Sequence, residues 1–337
     1  MGIIEAEYGD LEDGLADLQA AFTLACRAGS VEDAIRAVAN RVYLLYRVGR
    51  FAEAVETGRA GRSAVTAMGA PPAITTGIGN NAAGALFASG RWAEADQLLA
   101  ELVAESTTNF MRYLQLLQLE LAVGRGESER AADLVATLRK SPDDPRLVGT
   151  LHACLAEQAL AANDLAAAAI EVIDGLKALS GAEMAEEELR LLAVGSRLAA
   201  DLSLPPASTR PREIPDGWEE LAATFVEKAE VIVAEHGEGQ PDLAAFGAQV
   251  ASEEARRLGR DTPETWRAVA EAWRGAGWPY RVAYARLQEA AAALKAGRRE
   301  EAARALTACR STARELHAIP LFSQADDLAR RAGLKST

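Results

Sequence analysis

Apolar residues return along this chain every three or four positions and almost never every second one, a pattern that predicts helices throughout and no sheet. The stretch 81–103, NAAGALFASGRWAEADQLLAELV, shows the unit. One short helix runs to Ser89, Gly90-Arg91 turns the chain, and a second helix carries Ala95, Leu98, Leu99 and Leu102 on one stripe. At such a turn Gly takes the left-handed conformation that ends a helix without steric cost. The Ala five residues after each turn Gly (Ala54, Ala95, Ala131 and Ala302) is small, which predicts close approach of two helices there.

The turn recurs. Gly9-Asp10, Gly49-Arg50, Gly90-Arg91, Gly126-Glu127 and Asn163-Asp164 follow one another at steps of 40, 41, 36 and 37 residues, and Gly297-Arg298 continues the series after a gap. Periods in this range belong to helix-pair solenoids. A single hairpin cannot bury its apolar face alone, so neighbours stack and share a core along the array. The predicted helices are 31–48, 51–68, 74–89, 92–105, 110–123, 127–140, 145–162, 165–179, 184–202, 218–236, 243–258, one opening at Thr262-Pro263, the hairpin 283–316 and a last helix over 320–332. The four prolines between Pro205 and Pro215 cannot continue a helix. They suggest a repeat array over 1–202, a Pro-rich loop over 203–217, and divergent repeats with a capping helix over 218–337. Because Gly9-Asp10 is already a turn, the chain is expected to begin partway through a repeat of a longer protein.

Composition narrows the class. Of 337 residues 49% are hydrophobic and only 5% aromatic, which supplies a long core without a single compact centre. Three scattered cysteines, Cys26, Cys154 and Cys309, argue against a disulfide framework. No apolar run approaches the roughly 20 residues that span a bilayer, and residues 1–10 lack a basic-then-apolar leader. The expectation is a cytoplasmic protein. A net charge of −13 disfavours nucleic-acid binding by the chain itself. Residues 251–337 nevertheless hold 16 Lys or Arg against 11 Asp or Glu, so the basic residues cluster toward one end.

Catalytic motifs are missing. Gly77-Ile78-Gly79-Asn80-Asn81-Ala82 matches a loose dinucleotide pattern, but it follows Pro71-Pro72 and fits a repeat helix, not a strand-to-helix turn. Neither a GxxxxGK[ST] loop nor a GxSxG elbow occurs. His152 and Cys154 stand two apart, which points them to different sides of a helix. With three histidines, acid–base chemistry has few candidates. The expectation is therefore no enzyme, no cofactor and no metal.

What remains is the groove. In a helix-pair superhelix the first helix of each pair lines the concave side. Counting back from each turn places Arg36, Tyr43, Tyr46, Arg47, Asn80, Phe87, Tyr113, Glu120 and Glu157 on that side. Aromatic, amide and charged groups together suit a small polar effector or a peptide.

The hairpins VYLLYRVGRFAEAVE, NNAAGALFASGRWAEADQLL and EAAAALKAGRREEAARAL resemble tetratricopeptide repeats. The order of segments resembles the helical region of the large ATP-dependent LuxR-type, maltose-regulator-like transcriptional regulators. The early GDLEDGLADLQAAFTLACRAG, the central repeat and the late TWRAVAEAWRGAGWPYRVAYARLQEAAAALKAGRREEAARAL carry that likeness, which is weakest over 202–240. The resemblance implies an all-α, right-handed superhelix of tetratricopeptide-like hairpins that senses an inducer or a protein partner and supports self-association. In that family an ATPase domain precedes this region and a helix-turn-helix domain follows it. Neither pattern stands in this sequence, so ATP and DNA binding are assigned to no residue. The alternative expectation is a stand-alone repeat scaffold that holds a protein or peptide in its groove.

Overall fold

The computed structural model describes residues 11–106, 110–140, 144–203 and 213–334, and among these every regular element is helical. The turn at Gly9-Asp10, the residues 204–212 of the Pro-rich segment, and Pro142 and Asp143 lie outside the described residues. Two compact units divide the chain, Met1–Leu121 and Ala122–Thr337.

The first unit holds α1 (Leu11–Ala28), α2 (Val31–Arg47), α3 (Phe51–Ala67), a 3-10 turn (Pro72–Thr75), α4 (Thr76–Ala88), α5 (Trp92–Glu105) and most of α6 (Met111–Arg125). From α1 to α5 each helix packs on its successor, and the first helices α2 and α4 also pack on each other. This is the contact pattern of stacked hairpins.

The second unit holds α7 (Ser128–Leu138), α8 (Pro145–Ala161), α9 (Leu165–Ala178), α10 (Ala185–Ser203), α11 (Trp218–Ala222), α12 (Phe225–His236), α13 (Pro241–Arg257), α14 (Pro263–Gly275), α15 (Pro279–Lys295), α16 (Arg299–Glu315) and α17 (Ile319–Arg331). Here too hairpin partners pack together, and α8 packs on α10, α10 on α13, and α15 on α17. The proline-rich segment over 203–217 separates no compact unit, because α10 before it and α13 after it pack broadly on each other.

The repeated sequence motif has a repeated geometry. Gly49, Gly90, Gly126 and Gly297 all take positive φ, between 74° and 78°, and Asn163 does so at 57°. At Gly90 the chain closes as the motif requires: Gly90 N–H donates to Phe87 O at 3.0 Å and Arg91 N–H to Leu86 O at 2.8 Å. The following Arg is the N-cap, and the Glu three residues on sits in the first helical turn, where the helix dipole favours a carboxylate. Arg50–Glu53 and Arg91–Glu94 are ion pairs of this form. Ala54, Ala95, Ala131 and Ala302 are all buried, as the need for close helix approach predicts. The gap in the turn series is filled by Gly259, φ 67°, which stands 38 residues before Gly297. Its sequence, Gly-Arg-Asp-Thr-Pro, lacks the Glu-Ala signature because a Thr262–Thr265 capping box starts α14 instead.

One predicted helix is two. The stretch 218–236 breaks after Ala222, where Thr224 N–H and its hydroxyl both donate to Leu221 O, at 3.0 and 2.8 Å. A Thr that hydrogen-bonds its own backbone competes with helix continuation. Trp218 and Phe225 on the two short helices then meet edge to face at 5.9 Å.

Candidate functional site

The groove residues fall into two settings. In the first unit the half-buried stripe of α4 reads Gly77, Asn80, Asn81, Gly84 and Phe87, along one side of the helix. Two glycines make this stripe a trough. A methyl group added at Gly84 would lie 3.7 Å from Tyr46 Cε2, and one at Gly77 would lie 3.0 Å from the Phe110 ring. Tyr46 from α2 and Phe110 from the start of α6 thus wall the trough at its two ends. Asn81 Nδ2 donates to Ala39 O of α2 at 3.2 Å, which fixes the register of α4 against α2. Asn80 Oδ1 is buried beneath the stripe and has no hydrogen-bond partner among the described residues.

The aromatic groups are held. Phe87 stacks on Trp92 at 5.6 Å, and the Trp92 indole donates to Phe87 O at 3.0 Å. Tyr46 packs on Phe51 at 5.8 Å, and Tyr113 on Phe110 at 6.1 Å. Tyr43, Arg47, Asn80, Phe87, Tyr113 and Glu120 are each half-buried. Arg36 is exposed and paired with Asp33 on its own helix. Such a surface offers aromatic edges and amides around two glycines, of which Gly77 lies under the Phe110 ring. It does not offer a nucleophile beside a base.

In the second unit the sequence assignment needs correcting. Glu157 on α8 is ion-paired within the unit and does not line an open groove. Arg281 Nη2 on α15 donates to Glu157 Oε1 at 3.2 Å, and Arg190 Nη2 on α10 stands 3.7 Å from Oε2. Burial alone would raise the Glu157 pKa, but Arg281, Arg190 and Arg197 outweigh it and hold the carboxyl below its usual range. The network continues inward. Arg197 donates to Gln324 Oε1 of α17 at 3.3 Å and lies 4.9 Å from the Tyr284 ring centre. Arg256 on α13 donates to Asp201 Oδ1 and Glu253 Oε2, both at 2.7 Å. The Tyr284 hydroxyl donates to Glu253. Burial pushes the Glu253 pKa up, only partly offset by Arg256 and Tyr284, and raises Tyr284 well above the usual phenol. Arg281 also stacks 5.2 Å from the Phe246 ring centre.

Five helices are tied together by this cluster. Counting inward positions from the turns finds Glu157 but misses Arg190, Arg197, Arg281 and Tyr284. The available signal was the recurrence of Arg on the inward faces of α10 and α15, which opposite charges on α8, α10 and α13 must neutralise.

Other candidates resolve simply. His152 Nδ1 lies 2.7 Å from Glu171 Oε2, and no group of three metal-ligating side chains occurs among the described residues. Cys154 and Cys309 are buried thiols, and burial pushes Cys309 up to about 12. No described helix is long and apolar enough to cross a membrane. Many arginines of the basic C-terminal region, including Arg267, Arg286 and Arg298, pair with Glu289, Glu271 and Glu264 of the same unit.

No family model matches the chain, and no curated protein matches it. Among solved structures, a circular tandem repeat protein with novel repeat topology and enhanced subunit contact surfaces is similar at 15% identity and a TM-score of 0.28, over 98% of this chain and 92% of that one.

Proposed function

We infer that this chain is a recognition module, the sensing and interaction arm of a LuxR-type regulator, which takes a peptide segment or a small polar effector on the α2–α4–α6 face of its first unit. The observation that carries this reading is the half-buried side of α4, where Gly77, Asn80, Gly84 and Phe87 lie between Phe110 and Tyr46. Rigid aromatic groups beside amides are what peptide and effector recognition use. The interior of the second unit is filled by its own ion pairs. The link to transcription comes from the order of the helical segments.

A ligand at a hundred times its Kd adds about 2.7 kcal/mol to the stability of its receptor. Thermal unfolding of the chain against a panel of metabolites and peptides should therefore reveal at least one stabilising compound, with the shift lost in a Tyr46→Ala, Phe87→Ala double variant. A panel without any hit would remove the effector version of the reading. Transcript levels unchanged by deletion of the gene, together with recovery of one stoichiometric protein partner, would favour a stand-alone scaffold.

A further inference from the structure

A cleft of about 570 Å³ opens on the opposite helices of the same unit, between α3 and α5. That volume lies within the usual range for a small-ligand site. Its floor is made of buried small residues, Gly58 of α3 and Gly79 and Ala82 of α4, with Leu98 of α5 beside them. One wall carries Arg59, Arg62, Ser63 and Thr66, and the other Glu94, Gln97, Glu101 and Glu105.

The charges on the two walls do not simply cancel in pairs. Arg62 is engaged by Glu105 and also donates to Thr75 Oγ1 at 3.0 Å. Glu94 accepts from both Nε and Nη2 of Arg91 at 2.7 Å, a bidentate pair complete in itself. Arg59 Nη2 is a second cation on that same carboxylate, at 3.0 Å. Glu101, two helical turns further along α5, accepts from the neutral amide of Gln97 at 3.2 Å and has no cationic partner among the described residues. Arg59 can therefore leave Glu94 without orphaning it, and Glu101 has a charge to give. One surplus positive group stands on one wall and one surplus negative group on the other.

A ligand complementary to this arrangement carries a carboxylate and an ammonium. Arg59 sits at Glu94, seven residues before Glu101, so the two anchor points lie about 10 Å apart along α5. The adjacent ammonium and carboxylate of a free α-amino acid cannot reach both. An extended chain spans about 3.5 Å per residue, so a peptide of two or three residues with both termini free matches the gap. We propose that the α3–α5 cleft binds short peptides with free termini, the C-terminal carboxylate on Arg59 and the N-terminal ammonium on Glu101. Ser63, Thr66 and Gln97 face the peptide groups between them, and the small-residue floor takes a small apolar side chain. This site is independent of the trough on α4 and does not use Tyr43, Tyr46 or Phe87.

The test is calorimetric titration of the full chain with trialanine, N-acetyl-trialanine and trialanine amide at low salt. Trialanine should bind saturably, and blocking either terminus should weaken it about fivefold, the upper range for an exposed ion pair. Arg59→Gln should abolish the preference for a free carboxylate and Glu101→Gln the preference for a free amine. Both side chains are exposed enough that these variants fold, which circular dichroism checks. Equal binding of all three peptides, or no saturable binding of trialanine, overturns the proposal. Loss of binding in the Tyr46→Ala, Phe87→Ala variant with full binding in Arg59→Gln would place the peptide in the α4 trough and overturn it as well.

Discussion

Arg281 and Glu157, 124 residues apart in sequence, share a hydrogen-bonded ion pair of 3.2 Å inside the second unit. The pair joins α15 to α8, and Arg281 is also stacked against Phe246 and Trp273. Arg281 is the closer of the two arginines on Glu157, and removing it leaves that half-buried carboxylate with Arg190 alone at 3.7 Å, a loss of about 3 kcal/mol. Arg281→Met is therefore expected to lower the unfolding free energy by about 3 kcal/mol. The double variant Arg281→Met, Glu157→Gln should cost less than the sum of the two single changes, because the two side chains share one contact. Urea denaturation measures both, and additive losses in the double variant would show that the two side chains are not coupled.

Glu157 and Glu253 should respond to pH with opposite signs. The arginines hold the folded-state pKa of Glu157 below its unfolded value, near 4.3. Its contribution is present above that value and is lost as the pH falls through the folded pKa. Glu253 is raised by burial, so the folded chain binds its proton more readily than the unfolded chain does. Its contribution is full below the unfolded value and declines as the pH rises through the folded pKa. The stability difference between the parent chain and Glu157→Gln should therefore grow from pH 3.5 to pH 7, while that for Glu253→Gln should shrink. Urea midpoints at three pH values decide this, and differences that move in the same direction would refute it.

The helices and their turns were legible in the sequence because both are local. A Gly in the left-handed region, an Arg cap and a Glu in the first turn lie within five residues, and Gly49, Gly90, Gly126 and Gly297 all behave alike. The small Ala five residues after each turn Gly could be placed in the core for the same reason. What could not be read was whether an inward face is open or filled. Counting from the turns puts Glu157 inward, yet its arginine partners come from α10 and α15, and nothing near residue 157 announces them. The α3–α5 cleft escaped for another reason. Its charges stand on second helices, which counting for a concave groove passes over, and its floor depends on Gly58 of α3 meeting Ala82 of α4. The break at Thr224 was hidden because Ala-Ala-Thr contains no strong helix breaker.

Gly61 is a position where added volume has nowhere to go. A methyl group there would fall 2.2 Å from Val38 Cγ2 of α2 and 3.1 Å from its Cβ. Val38 is itself buried and β-branched, so it cannot swing aside. Gly61→Ala should destabilise the chain by about 2 kcal/mol through overpacking, although Ala is the better helix former by about 1 kcal/mol. The companion change Val38→Ala opens the space, so Gly61→Ala should cost less in that background. A double-mutant cycle in urea checks the coupling, and a stabilising Gly61→Ala in the parent chain would contradict the packing described.

His317 closes α16 in the same left-handed conformation as the turn glycines, at φ 55°, although its side chain has a Cβ. Its N–H donates to Arg314 O at 3.1 Å and the next N–H, of Ala318, to Ala313 O at 2.8 Å, so the capping bonds match those at Gly90. A non-glycine residue in this region costs about 1 kcal/mol relative to glycine. The His317 side chain is exposed, so removing it sacrifices little packing. His317→Gly should therefore stabilise the chain by about 1 kcal/mol, while Gly90→Ala should destabilise it by a similar amount. Both shifts are read from urea midpoints at constant slope. Equal and opposite effects would establish that the left-handed turn residue, and not its side-chain contacts, sets the stability of each hairpin closure. A destabilising His317→Gly would instead mean that the imidazole holds a contact outweighing the backbone strain.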